Sequence, residues 1–367
     1  MARLGYSVGI QIIHLNDKSK RIYILDLIKI LCFIPVSIHH FSVSMWSIPE
    51  FSPYKNVSNI WFFTEVFART FAFSGQIILL VSSFLIAFTS IRHEKILKLL
   101  PLMLLFWFLS SVFDFSSENL YFWTWDIFPL IGFSLIVCFL AYHVKGTLYL
   151  MPILGLILLS IPFWEIKSLN DLPMYIKHIL IGDCESELSA WPILPWSGIV
   201  FFGYGLGRLV KEYINYFDKY IHISEMILWI SILMLTFKQL IGYYNIGLGT
   251  RFDCDGMRTS PSVTVSNVLF IVFIIRISIL AKVNARLSKN TICIFISKLN
   301  ISRYFGFSYF LHFLVISFLT VTLKQFSFET MIYMTWMSAV FVLPITEVML
   351  ALMLRLKVIK NVPKVVI

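Results

Sequence analysis

About ten separate stretches of roughly 20 mostly apolar residues constrain the fold of this chain more than any other feature. Each stretch is long enough to cross the hydrocarbon core of a bilayer as an α-helix. Of the 367 residues, 58% are hydrophobic and 14% are charged, which leaves too little polar surface for a soluble domain. We predict an all-α fold, a polytopic integral membrane bundle with about ten transmembrane helices. The stretches begin near Ile22, Asn59, Leu97, Leu120, Leu148, Pro195, Ser224, Pro261, Tyr304 and Thr330.

The basic residues indicate how these helices are oriented. They form short groups before the first stretch, after the even-numbered stretches and at the C-terminus, so an even number of crossings places every group on one side. Cytoplasmic loops of membrane proteins carry an excess of Lys and Arg, which predicts that both termini are cytoplasmic. The groups include Lys18, Lys20 and Arg21, then Arg92, Lys95 and Lys98, then Arg208 and Lys211, then Arg286, Lys289, Lys298 and Arg303, and finally Arg355 and Lys357.

The same pattern gives the domain organisation. Residues 1–20 are expected to form a cytoplasmic N-terminal tail, because they lack the uninterrupted apolar core and small-residue cleavage site of a secretory signal. Residues 21–367 are expected to form a single transmembrane domain, with an extracytoplasmic loop at about 165–194 that carries five acidic residues. The net charge of +10 is distributed over loops between apolar stretches, which excludes nucleic acid as a partner.

The five cysteines form neither a disulfide framework nor a CxxC metal pattern, so we expect no metal. Three of them, Cys32, Cys138 and Cys293, fall inside or at the ends of predicted spans and are interpreted as small apolar residues. The other two, Cys184 and Cys254, fall on the predicted outside. There they form either one disulfide between two loops or a pair of free thiols.

The first span carries ionisable residues, which are costly inside a membrane and are therefore functional candidates. Lys29 and His40 are eleven residues apart, which places them on one stripe of a helix and about 16.5 Å apart along its axis. Asp26 is three residues before Lys29 and close enough to pair with it. A purely structural ion pair with interfacial histidines is the alternative reading of this span.

Further ionisable residues lie in other predicted spans. Arg69 and Asp126, in the outer halves of spans two and four, are predicted either to bind substrate or to form a packing salt bridge. His312, in the middle of span nine, is either functional or a core histidine bonded to a carbonyl. Glu347 follows Pro344 and is a candidate to bond the kinked backbone, whereas Arg276 is expected to snorkel from a span end.

Five segments, in order along the chain, resemble the transmembrane acyltransferases, meaning the acyltransferase-3 family and the heparan-glucosaminide N-acetyltransferase-like membrane proteins. In the first, Lys29 and His40 match an opening span in which Arg or Lys is followed by His, and in the second Ser83 replaces the usual glycine. The third opens on Pro-Trp, which includes Trp196, and continues with glycines. The segments are ILDLIKILCFIPVSIHHF, ARTFAFSGQIILLVSSFLIA, WPILPWSGIVFFGYGLGRL, RTSPSVTVSN with Arg258, and ISRYFGFSYFLHF with Tyr309 and His312.

The resemblance implies transfer of an acyl group, acetyl above all, from cytoplasmic acetyl-CoA to a hydroxyl or amine of an extracytoplasmic sugar in a polysaccharide or glycolipid. His40 is the expected general base, because imidazole titrates near neutrality. Lys29 and Asp26 shape the inner entrance or the CoA site. Arg69, Asp126, Arg258, Trp196, Tyr309 and His312 are the expected substrate-binding residues, with interface anchoring as the alternative for Trp196. A bacterial inner membrane is the expected location.

Two other functions remain open at this point. A polysaccharide polymerase or lipid-linked sugar flippase would share the many apolar spans and the polar outside loop, without depending on CoA. A proton-coupled transporter would use His40, His312, Asp126 and Glu347 as a relay. Dependence on CoA separates the acyltransferase from both.

Close helix packing is the expected role of Gly203 and Gly207, which are four residues apart.

Overall fold

The regular elements of the computed structural model are all α-helices in the residues that it describes, which confirms the all-α class. The described residues are 22–46, 74–88, 100–101, 103–105, 108, 127–144, 146–160, 172–181, 192–213, 225–234, 261–323 and 326–356. The helices are α1 (Tyr23–Trp46), α2 (Ser74–Phe88), α3 (Ile127–His143), α4 (Thr147–Ser160), α5 (Met174–Ile181), α6 (Ile193–Glu212), α7 (Glu225–Met234), α8 (Pro261–Ile279), α9 (Ala281–Leu287), α10 (Thr291–Lys298), α11 (Asn300–Arg303), α12 (Phe305–Leu323) and α13 (Phe328–Arg355).

Two helices organise the packing. The first, α1, contacts α2 and all the helices from α8 to α13, and the second, α6, contacts α2, α3, α4 and α5. Because α2 touches both α1 and α6, it joins the two groups of helices. The N-terminal helix is therefore an interior element of the described structure.

Polar contacts establish the directions of the last three long helices relative to α1. Ser302, just before α12, lies beside Lys29, whereas Tyr309 within α12 lies beside His40, so α12 runs in the same direction as α1. Glu347 in the second half of α13 returns to Asn300, so α13 runs opposite to α12. The start of α1, the short helices α9 to α11 and the end of α13 consequently lie at one end of the molecule.

Gly203 and Gly207 on α6 allow α2 to pack closely against this helix. A Cβ at Gly203 would meet the carbonyl oxygen of Leu80 at 2.7 Å and the hydroxyl of Ser83 still closer. A Cβ at Gly207 would meet the Cβ of Ala87 at 2.9 Å. Glycine-mediated contact of this kind lets helix backbones pack against each other, which confirms the packing role predicted for these glycines.

The apolar side chains of several helices face outward while polar groups lie inside. On α4 and α13 the exposed residues recur every three or four positions and form an apolar stripe along each helix. Asp26, Lys29 and His312 are buried instead. Apolar stripes on the surface together with buried ionisable groups are unusual for a soluble domain, although most of the buried residues are apolar. The exposed stripes consist of Tyr149, Leu150, Ile153, Leu156 and Ile157 on α4, and of Tyr333, Met337, Val340, Phe341, Val348 and Leu352 on α13.

Within the described ranges, one helix, Tyr23–Phe41, is by itself long and apolar enough to cross a membrane. A second qualifies if Thr330–Ser338 and Val340–Arg355, which meet at 51°, are one broken span. The bend is explained by Pro344, because a proline ring clashes with the carbonyl four residues earlier. The larger number of about ten spans stays a prediction.

We expect Gly203→Ala to destabilise the protein by about 1–3 kcal/mol, because the added methyl group overpacks the contact with Leu80. Thermal unfolding of the detergent-solubilised protein measures the effect. Gly132→Ala is the matched control, since a Cβ there would meet Met103 at an ordinary 3.8 Å. Equal unfolding temperatures for both variants would contradict the close approach of α2 and α6.

Candidate active site

The helix α1 carries two polar sites on one continuous element of 24 residues. At 1.5 Å per residue, the eleven-residue step from Lys29 to His40 spans about 16.5 Å. Lys29 contacts Ser302 in α11, and His40 contacts Tyr309 in α12. The structure thus separates the predicted site residues of α1 into an ion-pair cluster and a histidine cluster.

The ion-pair cluster consists of Asp26, Lys29 and Ser302, all buried. The ammonium of Lys29 lies 3.1 Å from Oδ1 of Asp26, which confirms the predicted pairing. The same ammonium donates to the carbonyl oxygen of Ser302 at 3.1 Å, and the Ser302 hydroxyl donates to Asp26 Oδ1 at 2.7 Å. Each charge therefore has an opposite charge and a neutral hydrogen-bond partner, which is what buried ions require.

Glu347 holds the backbone of the segment that carries Ser302. Its Oε1 accepts hydrogen bonds from the backbone and side-chain nitrogens of Asn300 at 2.8 and 2.9 Å, and its Oε2 accepts from the backbone of Ile301 at 2.9 Å. The first amides of a helix have no partner within the helix, so a carboxylate at this position stabilises α11. Glu347 does bind backbone amides, as predicted. The prediction was wrong about which ones, because they belong to α11 and not to the kinked backbone near Pro344.

The histidine cluster consists of His40, Tyr309 and His312. His40 Nε2 and the Tyr309 hydroxyl are 3.3 Å apart, and the imidazole ring centres of His40 and His312 are 5.3 Å apart. Tyr309 also packs edge-on against His312, with ring centres 4.7 Å apart. Since α1 and α12 are far apart in sequence, only the fold brings these three predicted site residues together.

His312 differs from the other polar groups of the site. Its side chain is 0% exposed, and neither ring nitrogen has a well-formed hydrogen bond to a described residue. The ring packs against Phe33 at 5.1 Å and Phe313 at 4.6 Å between ring centres. The backbone of Tyr309, one turn earlier on α12, is a looser hydrogen-bond partner of the ring. Both readings from the sequence, a functional histidine and a core histidine bonded to a carbonyl, therefore stay predictions. Buried polar groups in native proteins almost always have a partner, so we expect a ring nitrogen without a well-formed bond to the described residues to contact a ligand or water.

His40 is half-buried, so it is more accessible than His312. Its ring contacts Phe313 at 4.1 Å and His39 at 5.5 Å between ring centres. The aromatic neighbours fix the orientation of the imidazole, while one face of the cluster keeps some exposure. A base that is oriented but reachable suits proton transfer to or from a bound group.

Other predicted site residues are placed differently or lie elsewhere. Trp196 is 3% exposed and packs in the hydrophobic core, so a covering side chain would have to move before its ring could stack on a sugar. Arg276 does not snorkel; its Nε donates to Glu225 at 2.7 Å from a buried position. Of the outer loop predicted at about 165–194, the structure describes 172–181, which include α5, and 192–194. Outside the described residues lie Arg69, Asp126, Arg258, Cys184, Cys254 and the tail 1–20.

Sequence reasoning missed Ser302 as a partner of the ion pair and Glu225 as a partner of Arg276. Ser302 lies within the segment ISRYFGFSYFLHF, so the segment was found without the role of this residue. Cys32, Cys138 and Cys293 are all buried, which agrees with their reading as small apolar residues. Within the part of the chain described, no group of three or more His, Cys, Asp or Glu side chains is placed to hold a metal ion.

Comparisons with protein-family models, with curated proteins and with solved structures give no match. The resemblance to transmembrane acyltransferases therefore remains an expectation from the sequence.

We expect Lys29→Met to lower the free energy of unfolding by about 3–5 kcal/mol, because it leaves the buried Asp26 carboxylate without its counter-charge. Unfolding by SDS titrated into mild detergent measures this change. The double variant Asp26→Leu/Lys29→Met should regain part of the loss, since the uncompensated charge is gone. Lys298→Met, at an exposed position, is the control. A Lys29→Met variant as stable as that control would rule out the ion pair as a structural element.

Proposed function

We propose that the chain is a membrane-embedded acyltransferase that moves an acetyl group from cytoplasmic acetyl-CoA to a hydroxyl or amine of an extracytoplasmic sugar. The observation that carries this proposal is the histidine cluster, in which His40 is bonded to Tyr309 beside the fully buried His312, whose ring nitrogens have no well-formed hydrogen bond to the described residues. An oriented imidazole next to a buried site for a further hydrogen-bonding group is what general base catalysis on a bound acceptor requires. The acceptor belongs to a polysaccharide or glycolipid in this proposal.

The membrane setting is part of the proposal. About ten spans with both termini in the cytoplasm, in a bacterial inner membrane, would place the outward apolar stripes of α4 and α13 against lipid. The burial of Asp26, Lys29 and His312 supports this setting, because ionisable groups in membrane proteins face the inside of the bundle. Arg286 and Arg355 both lie in elements at the end where α1 begins, which supports a cytoplasmic assignment for that end.

In the proposed reaction, the acceptor oxygen or nitrogen attacks the thioester carbonyl of acetyl-CoA. The new bond joins the acceptor to the acetyl carbon, and the carbon–sulfur bond breaks to release the CoA thiolate. His40 takes the proton from the acceptor and can pass it to the departing sulfur, so charge and protons balance. These steps describe direct transfer. In the alternative, an enzyme group first takes the acetyl from sulfur and releases the CoA thiolate, and the acceptor then attacks that acyl-enzyme and frees the group.

Tyr309 orients the base in this mechanism. If its hydroxyl accepts the Nε2–H of His40, the lone pair of Nδ1 is free to take the acceptor proton. The opposite arrangement, with Tyr309 donating, would place the imidazole proton on Nδ1 and leave no free lone pair. We therefore assign the working tautomer as the one protonated on Nε2, which the 3.3 Å contact allows.

The ion-pair cluster is proposed to shape the entrance for CoA. The ammonium of Lys29 already bonds Asp26 and the carbonyl of Ser302, which supports entrance shaping over direct phosphate binding. The distance of about 16.5 Å to His40 suits a phosphopantetheine arm that reaches from one cluster to the other. The two clusters thus mark the two ends of the proposed donor channel.

A proton-coupled transporter is the second candidate, because the contact between His40 and His312 would also suit a proton relay. Glu347 does not belong to such a relay, since its carboxylate caps α11. A polysaccharide polymerase or lipid-linked sugar flippase remains the alternative from the sequence. The transporter, the polymerase and the flippase would all act without CoA.

We expect His40→Ala to reduce acetyl transfer by about 10²–10⁴-fold, because the base is lost. The assay follows labelled acetyl from acetyl-CoA into total glycan and glycolipid of inverted membrane vesicles. His39→Ala, at the neighbouring position, should keep its activity if it is expressed at the same level. Equal activity of His40→Ala and wild type would remove His40 from the mechanism, and no label even with wild type would favour the transporter, polymerase or flippase.

We expect Tyr309→Phe to lower kcat by about 10–100-fold with little change in the KM for acetyl-CoA, because the ring still packs but no longer orients His40. Steady-state kinetics over a range of pH measures both constants, and the profile should shift with the altered base. A higher KM for the acceptor with an unchanged kcat would instead make Tyr309 a substrate-binding residue, the role first predicted from the sequence.

A further inference from the structure

The segment from Ala281 to Arg303 links the long helices α8 and α12 through short helices only. It contains five basic residues and no acidic residue. Its helices α9 and α10 both contact α1, so the segment is attached to the end of the molecule where α1 begins. The positive charge is therefore held at one place on the surface.

The helix α10 has a buried face and an exposed face. Cys293 and Ser297 are buried, and the N-cap Asn290 accepts a hydrogen bond from the backbone of Cys293 at 3.1 Å, which fixes the start of the helix. On the exposed face, Ile292 is 65% and Phe295 is 63% exposed. At about 100° per residue, these two residues share an arc of roughly 120° with Thr291 and Lys298.

Cations surround this apolar pair. Arg286 and Lys289 precede the helix and are exposed, and Lys298 ends it and is exposed as well. Bulk water does not suit two large apolar side chains, and the hydrocarbon core does not suit three exposed cations. Both requirements are met at the boundary between lipid headgroups and acyl chains, where amphipathic helices place apolar residues below a layer of cations.

We propose that Arg286, Lys289, Ile292, Phe295 and Lys298 form a docking surface for anionic phospholipid headgroups. The segment carries positive charge and no acidic residue of its own, which makes it complementary to phosphate, and the apolar pair inserts beside the acyl chains. The surface would hold the end of α1, and with it the ion-pair cluster, at a defined depth in the bilayer. This inference extends beyond acyl transfer and requires only the membrane setting.

The test is binding of phosphatidylglycerol to the full chain in mild detergent, followed through the rise in unfolding temperature as lipid is added. Wild type should be stabilised by phosphatidylglycerol more than by phosphatidylcholine, and the difference should shrink at high salt because exposed charges are screened. The triple variant Arg286→Gln/Lys289→Gln/Lys298→Gln should bind phosphatidylglycerol roughly fivefold more weakly for each charge removed.

The control is Lys177→Gln/Lys211→Gln, which removes two charges on α5 and α6 and should keep wild-type affinity. The variant Ile292→Ser/Phe295→Ser should also weaken binding, because the insertion of apolar side chains is lost. The five positions of the proposed surface are all exposed, so the triple variant and the Ile292→Ser/Phe295→Ser variant are expected to fold.

Three results would overturn the proposal. Equal stabilisation of wild type by the two lipids would show that charge plays no part. Unchanged affinity of the triple variant would place the lipid elsewhere, and a loss confined to acetyl-CoA binding would identify a nucleotide phosphate site instead. Because the readout is lipid binding, a chain without acyltransferase activity could still support it.

Discussion

The buried ion pair between Asp26 and Lys29 is the interaction on which the arrangement of the site depends. Two charges leave water favourably only when their remaining hydrogen-bonding capacity is used, and Ser302 supplies both an acceptor and a donor. This requirement fixes α11 against α1. Glu347 fixes the same short helix against α13, so three parts of the chain that are distant in sequence meet at one point. The register of α12, which follows directly, is then determined.

That register places the histidine cluster. Tyr309 lies seven residues after Ser302, so a helix that starts beside Lys29 and runs along α1 presents Tyr309 and His312 near His40. A shift of α12 by one residue would rotate these side chains by about 100° and remove the contact. The two clusters along α1 are therefore coupled through α12. The ion-pair cluster fixes the start of α12, and the position of α12 in turn fixes the histidine cluster.

The sequence predicted the local structure well and the contacts between helices poorly. The apolar stretches placed the starts near Ile22, Pro261 and Tyr304 within one residue of α1, α8 and α12, and the three-residue spacing predicted the pair of Asp26 with Lys29. Ser302 and Glu347 could not be assigned, because the partner of a polar group on another helix depends on tertiary packing that no local pattern encodes. Arg276 was placed in the wrong environment for the same reason, since Glu225 lies on a different helix.

The two clusters differ in how completely their polar groups are hydrogen-bonded, and this difference distinguishes a structural site from a candidate functional one. Lys29 and Asp26 have their charges and hydrogen bonds satisfied within the protein, so their burial is explained by folding alone. His312 is buried without well-formed hydrogen bonds to the described residues, and an apolar side chain of similar size would fill the space between Phe33 and Phe313 at lower cost. A bound group that completes the hydrogen bonding of this imidazole, beyond its looser contact with the backbone of Tyr309, would offset that cost. The neighbouring His40, oriented by Tyr309 and partly accessible, is then the group positioned to act on that ligand.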